Sequence, residues 1–140
     1  MKYDEISITV RFSEIDAYNV AWHGNYVNWM EMGRIALASR FGLDPFQLSQ
    51  AGFMGPVISL EIKYLRPARY NDELIVKTTL RNTPTATLEF ISEIVDANGT
   101  KLATGRTVHA LTDNAGVLQY QLPQAIAERI QRMTDWLGEQ

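Results

Sequence analysis

Asn25-Tyr-Val-Asn-Trp-Met-Glu-Met-Gly-Arg-Ile-Ala-Leu-Ala-Ser-Arg-Phe41 is the stretch that decides the fold. At about 100° per residue, Tyr26, Trp29, Met30, Gly33, Ala36 and Leu37 fall on one broad apolar face of a helix. Val27, Ile35 and Ala38 intrude among the polar positions Asn28, Glu31, Arg34 and Ser39. An apolar arc this wide exceeds the stripe of an ordinary surface helix, and predicts a helix buried on more than one side. Gly42 is placed to end it.

The segments around this helix read as strands and short turns. Upstream, Ile6, Ile8, Val10 and Phe12 alternate with Ser7, Thr9 and Arg11, the period-two pattern of a half-buried strand. Downstream, Asp44-Pro45 opens a short second helix through about Ala51, with Asp as N-cap and Pro at the first helical position. Four strand-like runs follow: Val57 to Leu65, Glu73 to Leu80, Thr87 to Val95 and Lys101 to Thr112. Asn98-Gly99 between two alternating runs is a hairpin signal, and short connections of this kind imply antiparallel pairing. Past Pro123, the spacing of Ile126, Ile130, Met133 and Leu137 predicts a terminal helix.

One long apolar helix with about five antiparallel strands has few packing solutions, and the sheet must curl around the helix. The expected class is α+β, with helices on one face of an antiparallel sheet and a single domain over residues 1–140. Apolar surface left over on helix and sheet edge predicts that two subunits pair.

Composition narrows the function classes. Thirteen basic and sixteen acidic residues give a net charge of -3, and the basic residues are scattered, which argues against a nucleic-acid surface. The absence of cysteine excludes disulfides, thiolate metal sites and a cysteine nucleophile. Two histidines without motif spacing make no metal site. Charged residues near the start and the lack of a long apolar run predict a cytoplasmic protein with no membrane span.

The chemistry concentrates in Arg11-Phe-Ser-Glu-Ile-Asp16-Ala-Tyr-Asn-Val-Ala-Trp-His23-Gly-Asn-Tyr26. Asp16 stands just upstream of the long helix. A helix that starts near His23 or Gly24 offers unpaired N–H groups and the positive end of its dipole. A carboxylate beside such a start is what acyl transfer requires. An Asp before a helix also serves as a turn or cap residue, and a His at a helix start also serves as a pocket wall. Trp22 and Tyr26 lie nearest this chemistry and are candidate pocket residues. Glu14 and His109 read as structural.

These residues carry a resemblance. The pair Glu14-x-Asp16, the stretch Val20-Ala-Trp-His-Gly-Asn-Tyr26 and the later Tyr64-x-x-Pro67-x-x-x-x-Asp72 resemble the hotdog-fold acyl-CoA thioesterases, within them the 4-hydroxybenzoyl-CoA thioesterase-like family. The resemblance implies a hotdog fold, a curved five-stranded antiparallel sheet wrapped around one long central helix, with a C-terminal helix. It implies that Asp16 is the catalytic nucleophile or general base and that the backbone N–H of His23 polarises the thioester carbonyl. It places Val57 and Ile58 beside the thioester and the 82–86 turn near the pantetheine arm. The sequence departs from the family at Tyr18-Asn19, where small residues are usual, which puts Asn19 among the residues shaping the pocket. The implied substrate is an acyl-CoA or an acyl carrier protein thioester, with no cofactor and no metal, in a homodimer or homotetramer. The alternatives are a non-catalytic acyl-thioester-binding protein and a dehydratase, which needs a His-centred motif that is missing here.

Overall fold

The structure is a computed structural model that describes residues 2–138. Strand β1 (Asp4–Thr9) leads into a 3-10 turn at Phe12–Glu14, the long helix α1 (Asn25–Ser39) and the short helix α2 (Pro45–Gln50). Strands β2 (Phe53–Met54), β3 (Val57–Tyr64), β4 (Glu73–Arg81), β5 (Leu88–Asp96), β6 (Lys101–His109) and β7 (Thr112–Asp113) follow, and helix α3 (Gln124–Gly138) closes the chain. Five strands form one antiparallel sheet in the order β1-β4-β5-β6-β3, while β2 and β7 pair separately. This is the α+β, five-stranded arrangement the sequence predicts.

Helix α1 crosses the sheet and buries Tyr26, Trp29, Met30, Gly33, Leu37 and Ala38. Gly33 allows the close approach: a Cβ there would sit 2.7 Å from Thr78 Oγ1 and 2.8 Å from Val76 Cγ1. Gly105 on β6 does the same beneath the Met30 side chain. Tyr26, Trp29 and Met30 pack with Leu74, Val76 and Ile94 in one core. Leu37 and Ala38 pack with Leu48, Phe90, Ile126 and Met133 in a second. The outward positions Asn28, Glu31 and Met32 are exposed. Within one chain the helix therefore has an open side.

Local chemistry accounts for several element ends. Asp44 and Gln47 form a capping box at α2, with Pro45 opening the helix. Gly42 takes a left-handed φ of 74° after α1, as expected of a helix-ending glycine. Gly99, at φ 82°, turns the β5–β6 hairpin, where Asp96 and Thr100 close a backbone hydrogen bond. Two strands are shorter than their alternation predicts. β1 stops at Thr9, because Val10 and Asn71–Asp72 bond to each other and the Arg11 N–H turns to the Glu14 carboxylate. β6 ends at His109, because the Ala110 N–H bonds Pro56 and the chain moves on to pair with β2. Among the described residues, no helix is long and apolar enough to cross a membrane.

Candidate active site

The loop between β1 and α1 is a tight reversal. Ile15 and Ala21 form an antiparallel bridge, and the Asp16 N–H donates to the Val20 carbonyl at 2.9 Å. Asn19 takes a left-handed φ of 63° at the tip. One Asp16 carboxylate oxygen accepts the Tyr18 N–H at 2.8 Å, the Asx turn that a loop aspartate commonly makes. The other oxygen has no donor among the described residues, and Asp16 lines an open cleft. Asp16 is thus both a turn residue and a carboxylate presented to the cleft.

Glu14 anchors the loop from below. Its carboxylate accepts the Arg11 N–H at 2.8 Å and the buried Trp29 indole N–H at 3.0 Å. Its carbonyl accepts the Trp22 N–H and the Asn25 side-chain amide. Burial pushes the Glu14 carboxyl up, but the hydrogen bonds from Arg11 and Trp29 outweigh it and hold the group below the ordinary carboxylate range. Glu14 is structural, in line with the sequence expectation.

The start of α1 faces the same cleft. The N–H groups of Asn25 and Tyr26 are tied to the Trp22 and His23 carbonyls. Those of His23 and Gly24 have no acceptor among the described residues. Unpaired N–H groups at a helix start are oriented donors for an oxyanion. The Trp22 ring lies over Gly24, where a Cβ would collide with it. The His23 imidazole is exposed between Trp22 and Tyr64, with ring centroids at 5.1 and 6.3 Å.

Tyr64, at the end of β3, closes one wall. Its hydroxyl donates to the His23 carbonyl at 2.8 Å, which fixes the peptide that carries the Gly24 N–H. Tyr26 stands edge-on to it at 5.0 Å, and the Tyr26 hydroxyl accepts the Ala68 N–H at 3.1 Å. Burial raises both phenols above their ordinary value, so both are protonated at neutral pH. The cleft holds about 540 Å³, bounded by Asp16, Trp22, His23, Tyr26, Tyr64 and Pro67. Among the described residues, no group of three or more acidic or histidine side chains is placed to hold a metal ion.

The family model of the thioesterase superfamily matches residues 18–103, more than half of the chain. The chain belongs to the thioesterase superfamily. It is 28% identical over 134 residues to the provisionally named esterase sll0410 of Synechocystis, covering 94% of this chain and 81% of that one. It is 25% identical over 121 residues to the acyl-CoA thioester hydrolase YbgC of Escherichia coli O157:H7, covering 85% and 89%. The DHNA-CoA thioesterase of Staphylococcus aureus shares the hotdog fold at a TM-score of 0.81 and 24% identity, over 97% of this chain and 95% of that chain.

In this thioesterase-superfamily chain, the residues singled out from sequence divide into two groups. Asp16, Trp22, His23 and Tyr26 meet at the cleft. Asn19 sits at the exposed loop tip and does not line it. Val57 and Ile58 lie at the opposite end of β3 from Tyr64, outside the cleft of their own chain. Arg81, the basic residue nearest the 82–86 turn, is engaged by Glu89 at 3.3 Å. Tyr64 itself is a cleft residue that helical or strand periodicity does not single out. The signal available for it was its place in the Tyr64-x-x-Pro67 segment, which follows the strand and carries the cleft's far wall.

Proposed function

We propose that this chain hydrolyses acyl-CoA thioesters, with Asp16 as the side-chain reagent and the helix-start N–H groups as the oxyanion site. The observation that carries the reading is that Asp16 and His23 line one cleft, and that among the described residues one Asp16 carboxylate oxygen has no donor and the His23 N–H has no acceptor. The name of the Escherichia coli relative supports CoA as the thiol.

A thioester carbonyl bound against the His23 N–H gains negative charge on oxygen as its carbon is attacked. A pre-aligned donor at that point contributes about 2.7–4 kcal/mol to the transition state. Asp16 acts at the carbon. As nucleophile it forms an acyl anhydride and expels the thiolate, and water then cleaves the anhydride to return the carboxylate. As base it takes a proton from water, whose oxygen attacks directly. Both routes yield a carboxylic acid and CoA. The His23 imidazole is incidental to either, since its own main chain is the donor.

The unit we propose is a homodimer paired through β3. That strand is an edge of the sheet, bonded on one side to β6 only. Its large apolar side chains are open to solvent, Ile58 at 60% and Leu60 at 44%. A long apolar edge left uncovered invites pairing, and a second copy related by a two-fold axis covers it with its own equivalent strand. Antiparallel pairing about the middle of β3 sets the partner copy's Val57 end beside the Tyr64 end, so Val57 and Ile58 would reach the neighbouring subunit's cleft.

The experiment is a thiol-release screen over short, long and aromatic acyl-CoAs. Release of CoA above the spontaneous rate from at least one class is expected; release from none contradicts the reading.

A further inference from the structure

A second cavity, of about 460 Å³, lies between the C-terminal half of α1, α2, the starts of β3 and β5 and the end of β6. Its size is that of a small-molecule pocket, and its walls are mostly apolar, with Ala38, Leu48, Val57, Leu88 and Phe90 among them. Arg34 is the cationic residue among those that line it.

Arg34 is poorly compensated there. Its side chain is only 17% exposed, and its ion-pair partner among the described residues, Glu31, stands at 4.0 Å and is 51% exposed itself. It makes no hydrogen bond among the described residues, and burial lowers its pKa below the ordinary value. Among the described residues, no carboxylate lines the cavity. A guanidinium has five N–H donors and cannot shed its charge, so a buried one without acceptors is a standing cost until an acceptor arrives.

The neighbouring His109 does not supply that acceptor. Its Nδ1 is 2.9 Å from the Gly55 carbonyl and its Nε2 is 3.0 Å from the Thr107 hydroxyl, so both ring nitrogens are occupied. Burial lowers its pKa, and the Arg34 charge lowers it further, which keeps the ring neutral. Among the described residues, the cavity lining therefore offers one cation, paired only at long range with Glu31, in mostly apolar walls.

Its position gives the cation a use. Val57, at the start of β3, lines this cavity, and Tyr64, at the end of β3, lines the cleft that holds Asp16. Antiparallel β3 pairing between two copies brings the first end of one strand to the last end of the other. We infer that the cavity of one subunit receives the acyl group whose thioester lies in the other subunit's cleft, and that Arg34 there binds a carboxylate at the far end of that acyl group. The inference rests on the thioesterase and dimer readings above. It names the substrate class as acyl-CoA thioesters carrying a second, distal carboxylate.

The test compares matched thioesters on the full chain: butanoyl- to octanoyl-CoA against chains of equal length ending in a carboxylate, and benzoyl-CoA against 4-carboxybenzoyl-CoA. For at least one pair, kcat/KM is expected to favour the carboxylate by about tenfold or more, as a charge-assisted, bidentate Arg contact allows. Arg34→Gln should collapse that ratio to about one, chiefly through KM, and Arg34→Lys should restore part of it. The corresponding dicarboxylate should inhibit the unmodified protein more tightly than the monocarboxylate, a readout that survives if Arg34→Gln fails to fold. Hydrolysis with no carboxylate preference in any pair, or an Arg34→Gln protein whose ratio is unchanged, overturns this inference and leaves the thioesterase reading intact. Absence of thiol release from every thioester overturns both.

Discussion

The Tyr64 hydroxyl and the His23 carbonyl oxygen are 2.8 Å apart, joined by a hydrogen bond that spans from the end of β3 to the start of α1. Through that carbonyl, Tyr64 holds the peptide plane whose N–H belongs to Gly24, one of two unpaired donors at the helix start.

If the Gly24 N–H shares the proposed oxyanion site with that of His23, Tyr64 acts as a positioning residue. Tyr64→Phe keeps the ring against Tyr26 and removes only the hydroxyl. One hydrogen bond of this kind is worth about 1 kcal/mol, so kcat should fall about fivefold with KM nearly unchanged. A purely structural role would instead lower the melting temperature and leave kcat alone, so the two are measured side by side.

The extent to which sequence disclosed this arrangement varied with the range of the contact. Periodicity was enough for α1 and the sheet strands, because apolar spacing is a local property of Tyr26 through Leu37 or of Leu74 through Leu80. The Asp44-Pro45 start and the Gly99 turn were legible for the same reason. Phe12 continues the alternation of Ile6 and Ile8 and so reads as strand, but it opens the 3-10 turn instead. The Glu14 carboxylate captures the Arg11 N–H and bends the chain out of the sheet before it. Tyr64 meeting His23, and Arg34 lining a cavity built by α2 and β3, depend on segments far apart in sequence. On a helical wheel Arg34 is just another polar position, and its low exposure and its place in the cavity lining with Leu48, Val57 and Phe90 follow from the fold. Val57 and Ile58 were expected beside the chemistry, yet within one chain they lie at the other end of β3.

His109 predicts a pH dependence of stability. Burial leads the causes that put its folded-state pKa below the ordinary value of 6.5. The unfolded chain then binds more protons than the folded one below that value, so this contribution to stability is full above pH 6.5 and is lost as pH falls beneath it. The loss is at most about 1.4 kcal/mol per pH unit. Urea unfolding between pH 7.5 and 5.5 should show it, and His109→Gln should flatten the slope over that range.

Leu60 sits mid-way along the exposed β3 edge. Leu60→Asp sets two like charges near the axis of a β3-paired dimer, and should shift a micromolar sample from dimer to monomer in sedimentation velocity. The folded monomer should lose most activity, since Val57 and Ile58 of a second copy no longer reach the cleft. A Leu60→Asp protein that sediments like the unmodified protein would contradict the proposed β3 interface.

Asp16 carries the account. Asp16→Asn keeps the size of the side chain and an oxygen for the Tyr18 N–H, so the loop should fold as before, while neither nucleophile nor base remains. The deciding measurement is kcat for thiol release by Asp16→Asn on whichever acyl-CoA the unmodified protein hydrolyses best, with circular dichroism confirming an unchanged fold. A fall of about 100-fold or more is predicted; turnover within a few-fold of the unmodified protein would contradict the assignment of Asp16 as the reacting group.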